Sequence, residues 1–177
     1  MLFLFLVNYR RERKKYQRHR EKSRAEPDKY VSLIVDGMDQ AKTNLPNTRV
    51  IAKSTSNLWR LRTHVSGVLL HTKASCGKLA HAFVDLLQWA HDSNLTITLL
   101  VKVLIDYSRS HLLPETLYIQ MDNTSRENKN KYVLSFCAIL VELRIFKKVQ
   151  AIYDQCTEMC NWCAFFFPGV QYSTGQG

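Results

Sequence analysis

Short apolar runs recur along the chain and predict the strands of a sheet. The runs at 30–36 and 116–122 each stop abruptly on an aspartate. Two more runs, at 64–72 and 79–87, flank a polar loop and predict a hairpin whose connection is longer than a tight turn. A run at 146–152 gives the fifth predicted strand.

Helical periodicity appears between the later strands. Apolar residues recur at helical spacing from about 93 to 110, and Asp92 or Ser93 is suited to cap the start of that helix. After the strand at 116–122, Thr124 and Glu127 have the spacing of a capping box and predict the start of a second helix there.

The order of these elements predicts the fold class. Three strands without an intervening helix predict an antiparallel meander, and the strand–helix–strand remainder predicts right-handed parallel crossovers. Ribonuclease H-like domains have this order, with acidic residues on the first and fourth strands, where Asp36 and Asp122 stand. We therefore predict an α/β fold with a ribonuclease H-like mixed sheet.

Positive charge is concentrated near the start of the chain. The net charge is +10, and residues 9–24 hold nine Lys or Arg against two Glu, so they account for +7 of it. Residues 8–29 read as a charged helix without an apolar stripe, which is either solvated or an arm that binds nucleic acid. The predicted phosphate-contacting residues are Arg10, Arg11, Arg13, Lys14, Lys15, Arg18 and Arg20.

The five cysteines and the hydrophobic segments indicate the cellular environment of the protein. An odd number of cysteines without a secretory pattern favours a reducing, intracellular environment. Cys160 and Cys163 form a single C-x-x-C, whereas a zinc site commonly uses two such pairs. No apolar run approaches the roughly 18–20 residues of a membrane span, so we expect no membrane association.

Asp36 and Asp122 are the candidate catalytic and metal-binding residues. A carboxylate at the end of a buried strand is held rigidly, and two such strands side by side would supply the first ligands of a two-metal Mg²⁺ site for phosphoryl transfer. The alternative is that both residues simply begin polar turns, because Asp-Gly and Asp-Asn are ordinary turn dipeptides.

Four blocks of sequence resemble a family of animal transposon-derived proteins that has a ribonuclease H-like integrase or transposase core. They are DGMDQAKTNLP, QWAHDSNLTITLLVKVL, LPETLYIQMDNTSRENKNKYVLSFCAILVEL and RIFKKV, which together run with gaps from about residue 25 to 149. The long third block is the most specific. The resemblance implies that Asp36 and Asp122 are the first two members of an acidic metal-binding triad.

The chain departs from the family pattern after about residue 150. In the family, the strand near Val149 leads into a histidine- and acid-rich stretch that is the natural source of the third acidic residue. Here the only acids that follow are Asp154 and Glu158, in a Cys- and Phe-rich tail. This implies a ribonuclease H-like fold without its last helix and a catalytic site that is incomplete.

These observations define the functional hypothesis. We expect a basic arm at 1–29, an incomplete ribonuclease H-like core at 30–153 and a divergent tail at 154–177. The expected function is nucleic-acid binding by a transposase-derived domain in the nucleus, with DNA favoured over RNA and a small-molecule substrate disfavoured. The alternatives are an active Mg²⁺-dependent nuclease or transposase and a non-catalytic module that binds other proteins. The sequence leaves the oligomeric state open.

Overall fold

The fold is given by a computed structural model, which describes residues 2–38, 43–46, 59–72, 78–122, 124–153 and 170–173. In chain order its helices and strands are α1 (Leu2–Ala25), β1 (Tyr30–Gly37), β2 (His64–His71), β3 (Lys78–Asp85), α2 (Ser93–Ser110), β4 (Thr116–Met121), α3 (Lys131–Glu142), β5 (Lys148–Tyr153) and β6 (Val170–Ser173).

The strands form one mixed sheet in the order β3-β2-β1-β4-β5-β6. The meander β1-β2-β3 is antiparallel, and β4, β5 and β6 each pair in parallel with the preceding strand of the sheet. The predicted fold class is therefore confirmed: the chain has an α/β fold with a mixed sheet that is compatible with a ribonuclease H-like domain.

One face of the sheet carries the hydrophobic core. Alternate residues of the central strands, such as Leu33, Leu70 and Ile119, are fully buried there. The apolar stripe of α2 packs in the same cluster, as sequence periodicity predicts, together with one side of α3. Cys137 of α3 lies inside this cluster, and burial raises the pKa of its thiol to about 12, so the thiol stays protonated at neutral pH.

The opposite face of the sheet is covered by α1. Its contacts follow a transverse row of registered residues that includes His71, Ser32 and Tyr118. The Tyr16 hydroxyl lies 2.8 Å from His71 Nε2, and the His19 ring stacks on Tyr118 with 3.8 Å between centroids. The basic segment is thus a helix, as predicted, but one side of it is docked on the sheet.

The sequence lacks the usual signal for this docking because the contacts are aromatic and polar. Tyr16, His19 and the fully buried Ser23 lie at i, i+3 and i+7, which puts them on one helical face without forming an apolar stripe. Ser23 is buried at no polar cost, since its hydroxyl donates to the carbonyl of His19 at 2.8 Å.

Two local features differ from the sequence expectation. The predicted capping box at Thr124 and Glu127 is wrong: α3 begins at Lys131 and its N-cap is Asn130, whose side chain accepts from the backbone N–H groups of Tyr132 and Val133. The strand β6 was not predicted. The predicted loss of the last helix concerns the tail, and residues 154–169 of that tail lie outside the described part of the chain.

The docking of α1 predicts a pH-dependent loss of stability. Burial, followed by the positive charges of Lys22, Arg18, Lys148 and Lys15, lowers the pKa of His19 from its ordinary 6.5 to about 4. The folded state therefore holds His19 neutral, and the unfolded chain binds a proton more readily. This contribution to stability is complete above pH 6.5 and is lost as the pH falls towards 4.

The variant His19→Phe keeps a ring to stack on Tyr118 and removes the titrating group. We expect its free energy of unfolding to fall less between pH 6.5 and pH 4 than that of the wild type. Urea unfolding across this pH range measures the difference. Identical pH dependence in the two proteins would contradict the assignment to His19.

Candidate functional site

The parallel pairing of β1 with β4 brings Asp36 and Asp122 to one edge of the sheet. The last registered pair is Val35 with Met121, so the two aspartates are the next residues on adjacent strands. Neighbouring strands are about 4.8 Å apart. Both aspartates line the same open cavity of about 220 Å³, beside the start of α2.

A hydrogen-bond network orients the Asp122 carboxylate. Thr124 donates to it from its backbone N–H at 3.3 Å and from its hydroxyl, and the Asn128 amide donates to Oδ1. Asn128 is buried, and its carbonyl oxygen accepts from the Thr96 hydroxyl of α2 at 3.0 Å. Asp122 therefore begins a polar turn and is also tied through Asn128 to the neighbouring helix.

Further acidic residues and histidines complete the cavity wall. Asp92 lines it, but its Oδ1 also accepts the N–H groups of Asn94 and Leu95 at 2.9 and 3.3 Å as the N-cap of α2. This confirms Asp92 as one of the two predicted capping residues. Glu127 lines the cavity as well, from the turn that precedes α3.

A His–Asp–His cluster adjoins this cavity, and sequence patterns did not reveal it. His64 and His91 line the cavity, and Asp85 lines a neighbouring groove. His64 Nδ1 is 3.1 Å from one Asp85 carboxylate oxygen, and His91 Nε2 is 3.8 Å from the other. The predicted hairpin could have indicated part of this cluster, because its register pairs His64, the first residue of β2, with Asp85, the last residue of β3.

The remaining predicted residues lie away from this cavity or outside the described ranges. The basic residues of α1 lie on the helix that covers the opposite face of the sheet, and nothing is described of the side chains of Arg10 and Arg11. Lys14 and Arg18 are exposed, whereas Arg20 is half-buried with its guanidinium 5.8 Å from the Tyr16 ring centre. Asp154, Glu158 and the three cysteines of the tail fall outside the described residues.

The carboxylates that line the cavity are of the type that binds magnesium in proteins. Mg²⁺ prefers oxygen ligands and retains several waters, so one or two well-held carboxylates suffice. Asp36 and Asp122 provide two, and Glu127 is a further carboxylate on the wall. No helix in the described ranges combines the length and hydrophobicity needed to cross a bilayer.

The network predicts that Asn128 stabilises the fold. In Asn128→Ala, the buried Thr96 hydroxyl loses its acceptor and Asp122 loses a donor, so we expect a destabilisation of about 1–3 kcal/mol. The control Asn94→Ala removes an exposed amide near the same cavity and should change stability by less than about 0.5 kcal/mol. Urea unfolding of both variants is the measurement, and equal effects would contradict the role of the network.

The comparisons with known proteins give one positive result. No curated protein matches the chain, and no solved structure matches it. Residues 53–154, more than half of the chain, match a family described as a domain of unknown function, DUF7869. The matched region begins before β2 and ends just after β5, and it contains Asp122 and the whole His–Asp–His cluster. The chain therefore belongs to the DUF7869 family.

Proposed function

We propose that this protein is a transposase-derived, ribonuclease H-like domain that binds nucleic acid, carries a Mg²⁺ site at Asp36 and Asp122, and has an incomplete catalytic centre. The observation that carries the proposal is the position of the two aspartates, which follow the last registered pair of adjacent parallel strands and line one cavity. The sheet order and the resemblance of the DNTSRENKN segment support the same ancestry.

The Mg²⁺ part of the proposal rests on how the two carboxylates are held. Asp36 is exposed at the cavity and Asp122 is oriented by Thr124 and Asn128. A bound Mg²⁺ would neutralise phosphate charge and polarise a phosphoryl oxygen. Asp122 already receives three hydrogen bonds, so its remaining lone pairs are directed before any ion arrives.

The nucleic-acid part rests on the charge of α1. The docked side of this helix carries Tyr16, His19 and Ser23, and basic side chains, including Lys14 and Arg18, remain exposed. Because His19 is neutral, the positive charge of this surface comes from Lys and Arg side chains, which suit phosphate contacts. With DNA as the partner, the protein acts in the nucleus.

An active Mg²⁺-dependent nuclease is the second candidate. It is favoured by Glu127, which lines the cavity together with Asp36 and Asp122 and so offers a third carboxylate from within the described chain. We favour incompleteness because the chain departs, after about residue 150, from the acid-rich stretch that supplies the third acidic residue in the family that it resembles.

The Mg²⁺ site is tested with the isosteric variants Asp36→Asn and Asp122→Asn, measuring Mn²⁺ binding by the relaxation of water protons. Loss of one carboxylate should weaken binding at least about tenfold, because few protein ligands hold this ion. The control Asp28→Asn removes an exposed carboxylate that does not line the cavity and should leave binding unchanged. Equal affinity in all variants would contradict the site.

A cleavage assay on the wild type and these variants distinguishes a domain that only binds nucleic acid from an active nuclease. The proposal expects labelled DNA and RNA to stay intact with Mg²⁺ and with Mn²⁺. Metal-dependent cleavage that disappears in Asp36→Asn, Asp122→Asn and Glu127→Gln would establish the active enzyme instead.

The nucleic-acid surface is tested by the double variant Lys14→Ala with Arg18→Ala. Removal of two phosphate contacts should weaken DNA binding and make the slope of log K against log salt shallower by about 2. The control Lys102→Ala with Arg109→Ala removes the same charge from α2 and should bind like wild type. Fluorescence anisotropy at several salt concentrations gives both slopes, and equal slopes for the two double variants would contradict a role for α1.

A further inference from the structure

Three potential metal ligands meet beside the carboxylate cavity. They are His64 at the start of β2, Asp85 at the end of β3, and His91 just before α2. One ligand atom from each lies within 4.8 Å of those of the other two. The side chains are enclosed, with exposed fractions of 9%, 12% and 15% respectively.

The local fold holds these residues together at three points. The β2–β3 register puts His64 opposite Asp85. The chain then reverses through Leu87, which has a positive φ of 63°, and returns to His91 six residues after Asp85. The Leu87 N–H donates to Asp85 Oδ1 at 2.8 Å and so fixes the carboxylate, while the two imidazoles pack with 3.7 Å between ring centres.

The spacing of the ligand atoms suits a small tetrahedral ion. Zinc binds imidazole nitrogen and carboxylate oxygen at about 2.0–2.2 Å, which separates neighbouring ligand atoms by roughly 3.3 Å. The two His–Asp distances of 3.1 and 3.8 Å lie on either side of that value. The ligand atoms of all three residues lie within 4.8 Å of one another, so they must draw closer to hold one ion.

The ligand types distinguish this cluster from the aspartate pair. Two nitrogens and one carboxylate suit Zn²⁺ and related transition metals, whereas an all-oxygen set suits Mg²⁺. Three protein ligands leave one tetrahedral position for water or another ligand. Since His64 and His91 line the same cavity as Asp36 and Asp122, the cluster adjoins the proposed Mg²⁺ site.

We propose that His64, Asp85 and His91 form a binding site for one Zn²⁺ ion, separate from the Mg²⁺ site at Asp36 and Asp122. The site uses His64 Nδ1, the Asp85 carboxylate and His91 Nε2. It does not depend on the proposed catalytic ancestry, because none of its ligands belongs to the aspartate pair.

The experiment uses the full chain with Cys156→Ser, Cys160→Ser and Cys163→Ser, so that the tail thiols contribute no zinc affinity. Zn²⁺ is titrated in competition with a chromophoric chelator, and Co²⁺ is added separately to record the visible absorption of a tetrahedral site. We expect one Zn²⁺ per chain. A saturating excess of about 100 times the dissociation constant should raise the melting temperature by about 5 °C or more.

His91→Gln and Asp85→Asn are the diagnostic variants. Loss of an outer partner already weakens metal binding about 10–100-fold, so loss of a direct ligand should weaken it at least about 100-fold. The matched control is His81→Gln. It breaks another His–Asp contact of β3, between His81 Nε2 and Asp106 Oδ2 at 3.0 Å, and should leave Zn²⁺ affinity unchanged.

Melting temperatures in EDTA identify a variant that fails to fold, in which case the other diagnostic variant decides. Asp36→Asn should retain Zn²⁺ binding even if it loses Mn²⁺, so failure of the Mg²⁺ proposal and failure of the zinc proposal give different results. The zinc site is overturned if the chain without the three tail cysteines binds no stoichiometric Zn²⁺, or if affinity survives both His91→Gln and Asp85→Asn.

Discussion

The parallel pairing of β1 with β4 is the constraint on which the candidate site depends. The register is fixed because alternate residues of both strands, including Leu33 and Ile119, are buried under α2 and α3. A slip of one residue would turn these side chains to the opposite face of the sheet, where α1 lies. Hydrophobic packing in the middle of the strands therefore decides that Asp36 and Asp122 end side by side.

The proposed Mg²⁺ site and the proposed nucleic-acid surface lie at different places along β1. The carboxylate cavity lies at the α2 side of one strand end, whereas α1 crosses the other face at the row that contains Ser32. Asp36 is four residues from Ser32 along β1, or roughly 13 Å. The basic helix and the aspartates are therefore separate regions of the molecule.

The end of the sheet near α2 combines two kinds of potential metal ligand. Asp36 and Asp122 offer oxygens alone, and the adjoining cluster offers two imidazole nitrogens with the Asp85 carboxylate. Hard and borderline cations prefer these sets differently, so the two proposed sites can be distinguished by metal identity. Their proximity follows from the meander, because β2 and β3 carry His64 and Asp85 to the edge where β1 ends.

The sequence by itself determined five of the strands, the core helices and the two strand-ending aspartates, because period-2 and period-3.6 patterns report which side chains are buried along a single element. Only the tertiary structure decided what depends on contacts between elements. These are the docking of α1 through Tyr16 and His19, the capping of α3 by Asn130, and the meeting of His64 with Asp85 and His91. In each case the deciding contact is polar or aromatic, and such contacts leave no periodic hydrophobic signal in the chain.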